Sequence, residues 1–225
     1  MTANSRSISF PSEGAEIVAL LRRPPDARAL FVFAHGAGAG MHHAFMEATA
    51  EALAARRIAT LRYEFPYMTQ KRGYPDRPKV LDATVRAALA RGLDEGLPLF
   101  AGGKSMGGRM TSQSLAAGGL DAVRGVCFLG FPLHPPKKPS VTRGAHLESV
   151  KVPMLFLQGT RDDLAELSLL TPICARLGAR ATLHVIEGAN HAFEVPKKSG
   201  RTHADVIDEL ATTIDRFCET TLGAP

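Results

Sequence analysis

Three residue types, met in one order along the chain, could carry nucleophilic chemistry: Ser105, then Asp162 or Asp163, then His191. Ser105 is the centre of Gly103-Lys104-Ser105-Met106-Gly107, a G-x-S-x-G stretch. Such a stretch places a serine on a sharp strand-to-helix turn, with a strained backbone and a hydroxyl raised above a sheet edge. The positions two residues away on either side must be small, because strand and helix nearly touch there. Gly103 and Gly107 meet that demand. The next amide, Met106, is then free to donate a hydrogen bond to an oxyanion. A serine is a weak nucleophile until a base takes its proton, and the base needs an acid to orient it. After a serine on this kind of turn, the expected chain order is acid, then histidine. Asp162-Asp163 follows one predicted strand and His191 follows another.

Two other chemistries fail on spacing. A phosphate-binding loop requires G-x-x-x-x-G-K-[ST], and the position for its first glycine is Pro98, which also lacks a backbone donor. A dinucleotide fingerprint starting at Gly36 and Gly38 requires a third glycine where Met41 stands. His42-His43 opens a helix without an H-E-x-x-H pattern, so no metal and no cofactor are expected.

The elements that must position these groups alternate along the chain. Two opening strands, Ile8 to Phe10 and Glu16 to Arg22, flank a turn at Pro11-Ser12-Glu13-Gly14. Later strands are predicted at 29–34, 58–62, 97–101, 123–129, 154–158 and 180–186. Ala29 to Ala34 is apolar throughout, the pattern of a strand buried on both faces. Helices are predicted at 43–57, 80–93, 109–117, 164–177 and 202–222, with Pro172 threatening to break the fourth. Alternation from Ala29 onward implies a mainly parallel sheet with helices on both faces. Right-handed crossovers then gather the loops that follow the strands at one sheet edge.

The chain has 225 residues, enough for one large domain spanning 1–225. Hydrophobic residues make up 45% and charged residues 22%, the balance of a soluble globule. The net charge of +5 is scattered, without a basic helix or finger spacing, so no nucleic-acid partner is expected. No apolar run approaches the ~20 residues of a membrane helix, and no membrane partner is expected. Cys127, Cys174 and Cys218 are odd in number and far apart, which argues against a disulfide framework and for a reducing compartment. With no signal-peptide core at the start, the protein is expected to be cytoplasmic. The oligomeric state is not readable.

The ordered motifs resemble those of the α/β hydrolases, in the small lidless form of dienelactone hydrolases. The resemblance extends to a hydrolase-like family that includes a testis-expressed protein and a domain of an NSL chromatin-complex subunit. It rests on His35-Gly36-Ala37-Gly38-Ala39-Gly40, Arg62-Tyr63-Glu64-Phe65-Pro66-Tyr67, Gly103 to Arg109, Gln158-Gly159-Thr160-Arg161-Asp162 and Gly188-Ala189-Asn190-His191. It implies a three-layer αβα sandwich with a mostly parallel sheet of seven or eight strands and no cap domain. It implies Ser105 as nucleophile, Asp162 as acid through the G-x-x-D turn at Gly159, and His191 as base. Ala37 and Met106 amides would form the oxyanion hole. As a helix cap, Asp163 is better placed than Asp162. His35 is expected to brace its loop.

Pocket-lining residues expected from the loops are Glu64, Phe65, Tyr67, Leu133, His134 and Phe193. The basic pairs Lys71-Arg72, Lys137-Lys138 and Lys197-Lys198 are read as ordinary solvated loops before a rim that attracts anions. The expected activity is hydrolysis of a small-molecule ester. The contrasting expectation is a hydrolase-like module for protein interaction.

Overall fold

A computed structural model describes residues 4–223. The strands are β1 Arg6–Ser12, β2 Ala15–Arg22, β3 Ala29–Ala34, β4 Ile58–Tyr63, β5 Leu99–Lys104, β6 Val123–Leu129, β7 Met154–Gly159 and β8 Ala181–Ile186. They form one eight-stranded sheet in the order β1-β2-β4-β3-β5-β6-β7-β8. The pairs β1/β2 and β2/β4 are antiparallel, and every pair from β4 to β8 across the sheet is parallel. The helices are α1 Ala44–Ala54, α2 Pro66–Thr69, α3 Pro78–Leu93, α4 Met106–Ala116, α5 Leu167–Leu177 and α6 His203–Leu222.

The doubly buried reading of β3 explains how the layers are held. All six of its residues are buried. Phe31 and Phe33 face a cluster with Phe45 and Leu53 of α1 and Leu210 and Ile214 of α6. Leu30 and Val32 face the other cluster, with Leu81 and Val85 of α3 and Met110 and Leu115 of α4. The period of two along the strand thus feeds two cores from one apolar run. Truncating a fully buried ring such as Phe33 to alanine would cost about 3–5 kcal/mol.

Several boundaries differ from expectation for local reasons. Pro11 and Ser12 lie within β1, and the hairpin turns on Glu13-Gly14 alone, both at positive φ. A proline is tolerated there because β1 is an edge strand. Helix α4 starts at Met106 rather than Arg109, because the turn at Ser105 feeds the helix directly. Pro172 does not break α5. It lies on the exposed side while Leu170, Ile173, Cys174 and Leu177 hold the buried side. Helix α5 begins at Leu167, not Leu164, with Glu166 as its N-cap residue. Neither Asp162 nor Asp163 therefore caps it. The long loop after β4 contains α2, and residues 130–153 between β6 and β7 hold only a 3-10 turn, Thr142–Ser149.

After β3 the chain crosses to β4 on one side, and after β5 it crosses to β6 on the other. The crevice between these two strands is where a ligand fits in an open parallel sheet. The turn at Ser105 and the loop at Ala37 both stand over it.

Candidate active site

Ser105 has φ 50 and ψ −116, a strained conformation for a residue with a side chain. The crowding that demands glycine on either side comes from β3. A Cβ on Gly103 would lie 2.4 Å from the Ala34 carbonyl oxygen, and one on Gly107 would lie 2.5 Å from it. The Ser105 hydroxyl donates to His191 Nε2 at 2.8 Å, and His191 Nδ1 donates to Asp162 Oδ2 at 2.7 Å. Asp162 is buried, and its charge is met by two further donors. Gln158 Nε2 donates to Oδ2 at 2.6 Å and the Leu164 amide donates to Oδ1 at 2.9 Å. Asp163 is exposed and takes no part. An acid so held can fix the imidazole tautomer with Nε2 open to the serine proton.

The His191 loop is tied by its own residues. Asn190 Oδ1 accepts from the Ala192 and Glu194 amides at 3.0 and 2.9 Å. The Asn190 amide donates to the Glu194 carbonyl at 3.0 Å. Opposite, the amides of Ala37 and Met106 find no protein acceptor among the described residues. Both are thus available to a ligand oxygen. Among the described residues no group of three or more His, Cys, Asp or Glu is arranged to hold a metal ion.

A cavity of about 420 Å³ opens beside Ser105. It is lined by Gly36, Ala37, Ala39, His43, Phe45, Met46, Lys104, Ser105, Leu164, His191 and Ala192. None of the six residues expected to line the pocket lies on it. Glu64 turns under the loop after β3, where its carboxylate accepts from the Met41 amide at 3.1 Å. The Tyr67 hydroxyl accepts from the Gly38 amide at 3.0 Å. Phe65 is fully buried against His35. His134 is also buried and bonds Glu166 through Nε2 at 2.5 Å, pinning the segment after β6 to the start of α5. Leu133 belongs to the core. Phe193 is buried in a stack with Phe45, 5.5 Å between centroids. The common cause is that these loops fold their apolar and acidic groups inward, against neighbouring loops. None of the three basic pairs lines the cavity either, and Arg72 is paired with Asp76.

His35 braces the loop as a neutral ring. Its Nδ1 donates to the Gly36 carbonyl at 2.7 Å, which leaves Nε2 to accept from the Phe65 amide at 3.2 Å. Burial lowers its pKa, consistent with that neutral form.

Sequence reasoning missed the wall made by His43, Phe45 and Met46: His43 reads only as a helix start, and Phe45 and Met46, spaced with Thr49 and Leu53, read only as a packed helical face. It also passed over Lys104 as the variable position of its motif. The Lys104 ammonium stands 5.5 Å from the centroid of the Phe193 ring. Lys104 Nζ, Asp162 Oδ2 and His191 Cε1 lie 3.3, 3.4 and 3.4 Å from where a Cβ would stand on Gly130, a close but not closed meeting point, and it is the φ of 71 there that favours glycine. Burial lowers the Lys104 pKa from 10.5 to about 8, against the Asp162 charge that raises it.

A family profile described as an alpha/beta hydrolase domain matches residues 27–219. The chain belongs to this family. Its α/β-hydrolase fold is shared with lidless, dienelactone-hydrolase-like structures. A dienelactone hydrolase from Anabaena variabilis superposes with a TM-score of 0.76 at 21% identity, covering 96% of this chain and 97% of that one. An α/β serine hydrolase without lid from Xanthomonas campestris gives 0.74 at 18% identity, covering 96% of each chain. Est1E from Butyrivibrio proteoclasticus gives 0.71 at 16% identity, covering 96% and 98%. Among the described residues no helix is long and apolar enough to cross a membrane.

Proposed function

We propose that this α/β-hydrolase-family protein is a serine hydrolase that cleaves small carboxylic esters through an acyl-enzyme. One observation carries the reading: the hydrogen-bonded chain from the Ser105 hydroxyl to His191 at 2.8 Å and on to Asp162 at 2.7 Å. In the proposed reaction His191 Nε2 takes the Ser105 proton as Oγ attacks the ester carbonyl carbon. The carbonyl oxygen becomes an oxyanion held by the Ala37 and Met106 amides. Each such donor is worth ~3–4 kcal/mol to the transition state. The imidazolium, steadied by Asp162, gives its proton to the leaving alcohol oxygen as the acyl carbon–oxygen bond breaks. Water then attacks the acyl-enzyme by the same relay. An ester is favoured over an amide because an amine leaving group demands stronger acid catalysis.

Three buried free thiols support placing the protein in the cytoplasm. The stretch from Gly103 to Arg109 supports a finer kinship with the hydrolase-like family of the testis-expressed protein and the NSL-complex subunit. An interaction module without catalysis would have no physical need for the Ser105, His191 and Asp162 contacts. A fluorophosphonate probe separates the two readings. It is expected to label the wild-type protein and to leave Ser105→Ala unlabelled. Folded wild-type protein that takes no label would end the hydrolase reading and favour the interaction module.

A further inference from the structure

A second cavity, of about 480 Å³, lies against the one beside Ser105. The two share His43, Phe45 and Ala192 as a common ridge. Phe45 is held in that ridge by its stack on Phe193, whereas Ala192 and His43 are exposed along its top. Beyond the ridge the chemistry changes. The first cavity is walled largely by small and apolar residues, while the second adds Glu194, Arg201 and His203.

We propose that the two cavities are the arms of one substrate cleft, taking an ester of an apolar acid with a hydroxyl-bearing alcohol. The acyl chain occupies the first arm and the alcohol the second. This rests on the reading of Ser105 as nucleophile. The direction follows from proton transfer. The leaving oxygen must face His191 Nε2 to be protonated, and Ala192, which lines both cavities, gives the group attached to it a way over the ridge into the second arm. The chemistry of the alcohol follows from the walls. His43 Nδ1 accepts from the Phe45 amide at 3.2 Å, so in the neutral ring Nε2 carries the hydrogen and is the donor. Arg201, whose guanidinium also pairs with Glu209, offers its remaining N–H groups as a second donor. The Glu194 carboxylate accepts from Asn190 Nδ2 at 3.0 Å through one oxygen and offers the other as an acceptor. A ligand carboxylate would meet Glu194 unfavourably, and a ligand amine would meet Arg201 unfavourably. A neutral hydroxyl both donates and accepts, and suits both.

The test compares two esters of one acid, glycerol 1-butyrate and propyl butyrate, whose alcohols differ only by two hydroxyls. Two hydroxyl hydrogen bonds are worth about a tenfold gain in kcat/KM. That preference for the glycerol ester is expected in the wild-type protein, chiefly through KM. In Glu194→Leu and in Arg201→Met the ratio of the two kcat/KM values should fall towards one. Equal values in the wild type, or a preference that persists in both variants, would overturn the second arm while leaving Ser105 as nucleophile. Failure to turn over either ester in protein that the fluorophosphonate probe still labels would overturn the two-arm cleft alone, whereas failure to label as well would overturn the hydrolase reading.

Discussion

The two loops that flank Ser105 are held in opposite ways. The His191 loop is organised from within: Asn190 bonds the amides two and four residues ahead of it. The Ala37 loop is organised from outside. Tyr67 and Glu64, which follow β4, receive the Gly38 and Met41 amides. Beneath them the fully buried Arg62 donates to the Met41 carbonyl at 3.1 Å and to Glu47 at 2.6 Å. A locally closed loop depends on one residue for its shape. A loop propped from another strand spreads that dependence over several, and no single prop is decisive.

The contrast can be broken by substitution. Asn190→Ala should have the largest effect, a fall in kcat of about 100-fold, because misplacing a reacting group by ~1 Å costs that much. The melting temperature should hardly move, since the hydrogen bonds that are lost lie at the exposed surface of the loop while Phe193 keeps its buried stack. Tyr67→Phe should cost less, about tenfold in kcat with KM little changed, because Glu64 still holds the same loop and the transition state loses only part of its positioning. Steady-state kinetics on a short ester read both. If Tyr67→Phe proves the more damaging, the ranking of internal over external support is wrong.

Lys104 sharpens the comparison because it touches both sides. Its Cγ lies 3.6 Å from a Cβ position on Gly36, and its ammonium lies over Phe193. Its pKa is lowered from 10.5 to about 8, so the folded protein releases this proton earlier than the unfolded chain does. Between those two values the unfolded chain binds more protons, and stability should rise with pH across that window. At pH 7 the charge, half-buried in the cavity wall, is a standing cost. Lys104→Met should therefore be more stable than wild type at pH 7, by roughly 1 kcal/mol. The advantage should shrink by pH 9.5. Urea titrations at the two pH values measure it, and a variant less stable at both would show that the ammonium holds the loops together.

How much was legible follows the same divide. The chain order of Ser105, Asp162 and His191 could be read because each belongs to a motif only a few residues long. The residues alone left Asp162 and Asp163 open, the family resemblance chose Asp162 through its G-x-x-D turn at Gly159, and the structure brings Asp162, not Asp163, to His191. Strand β3 was legible to the residue because burial on both faces leaves no polar position in its pattern. The pocket was not. Glu64, Phe65 and Tyr67 looked like cavity residues because they follow a strand at the right sheet edge, but they prop the neighbouring loop.

The sequence by itself determined the alternating elements, the glycine-flanked serine and the order of its partners, because local sterics and strand periodicity act over short spans of chain. Only the tertiary structure decided which side chains meet the cavity. That depends on crossovers that set α1 and the loops after β7 and β8 side by side. It also depends on competition between loops for buried hydrogen bonds. His43, Phe45 and Lys104 gain their place in the wall from neighbours distant in sequence, and no local pattern records that.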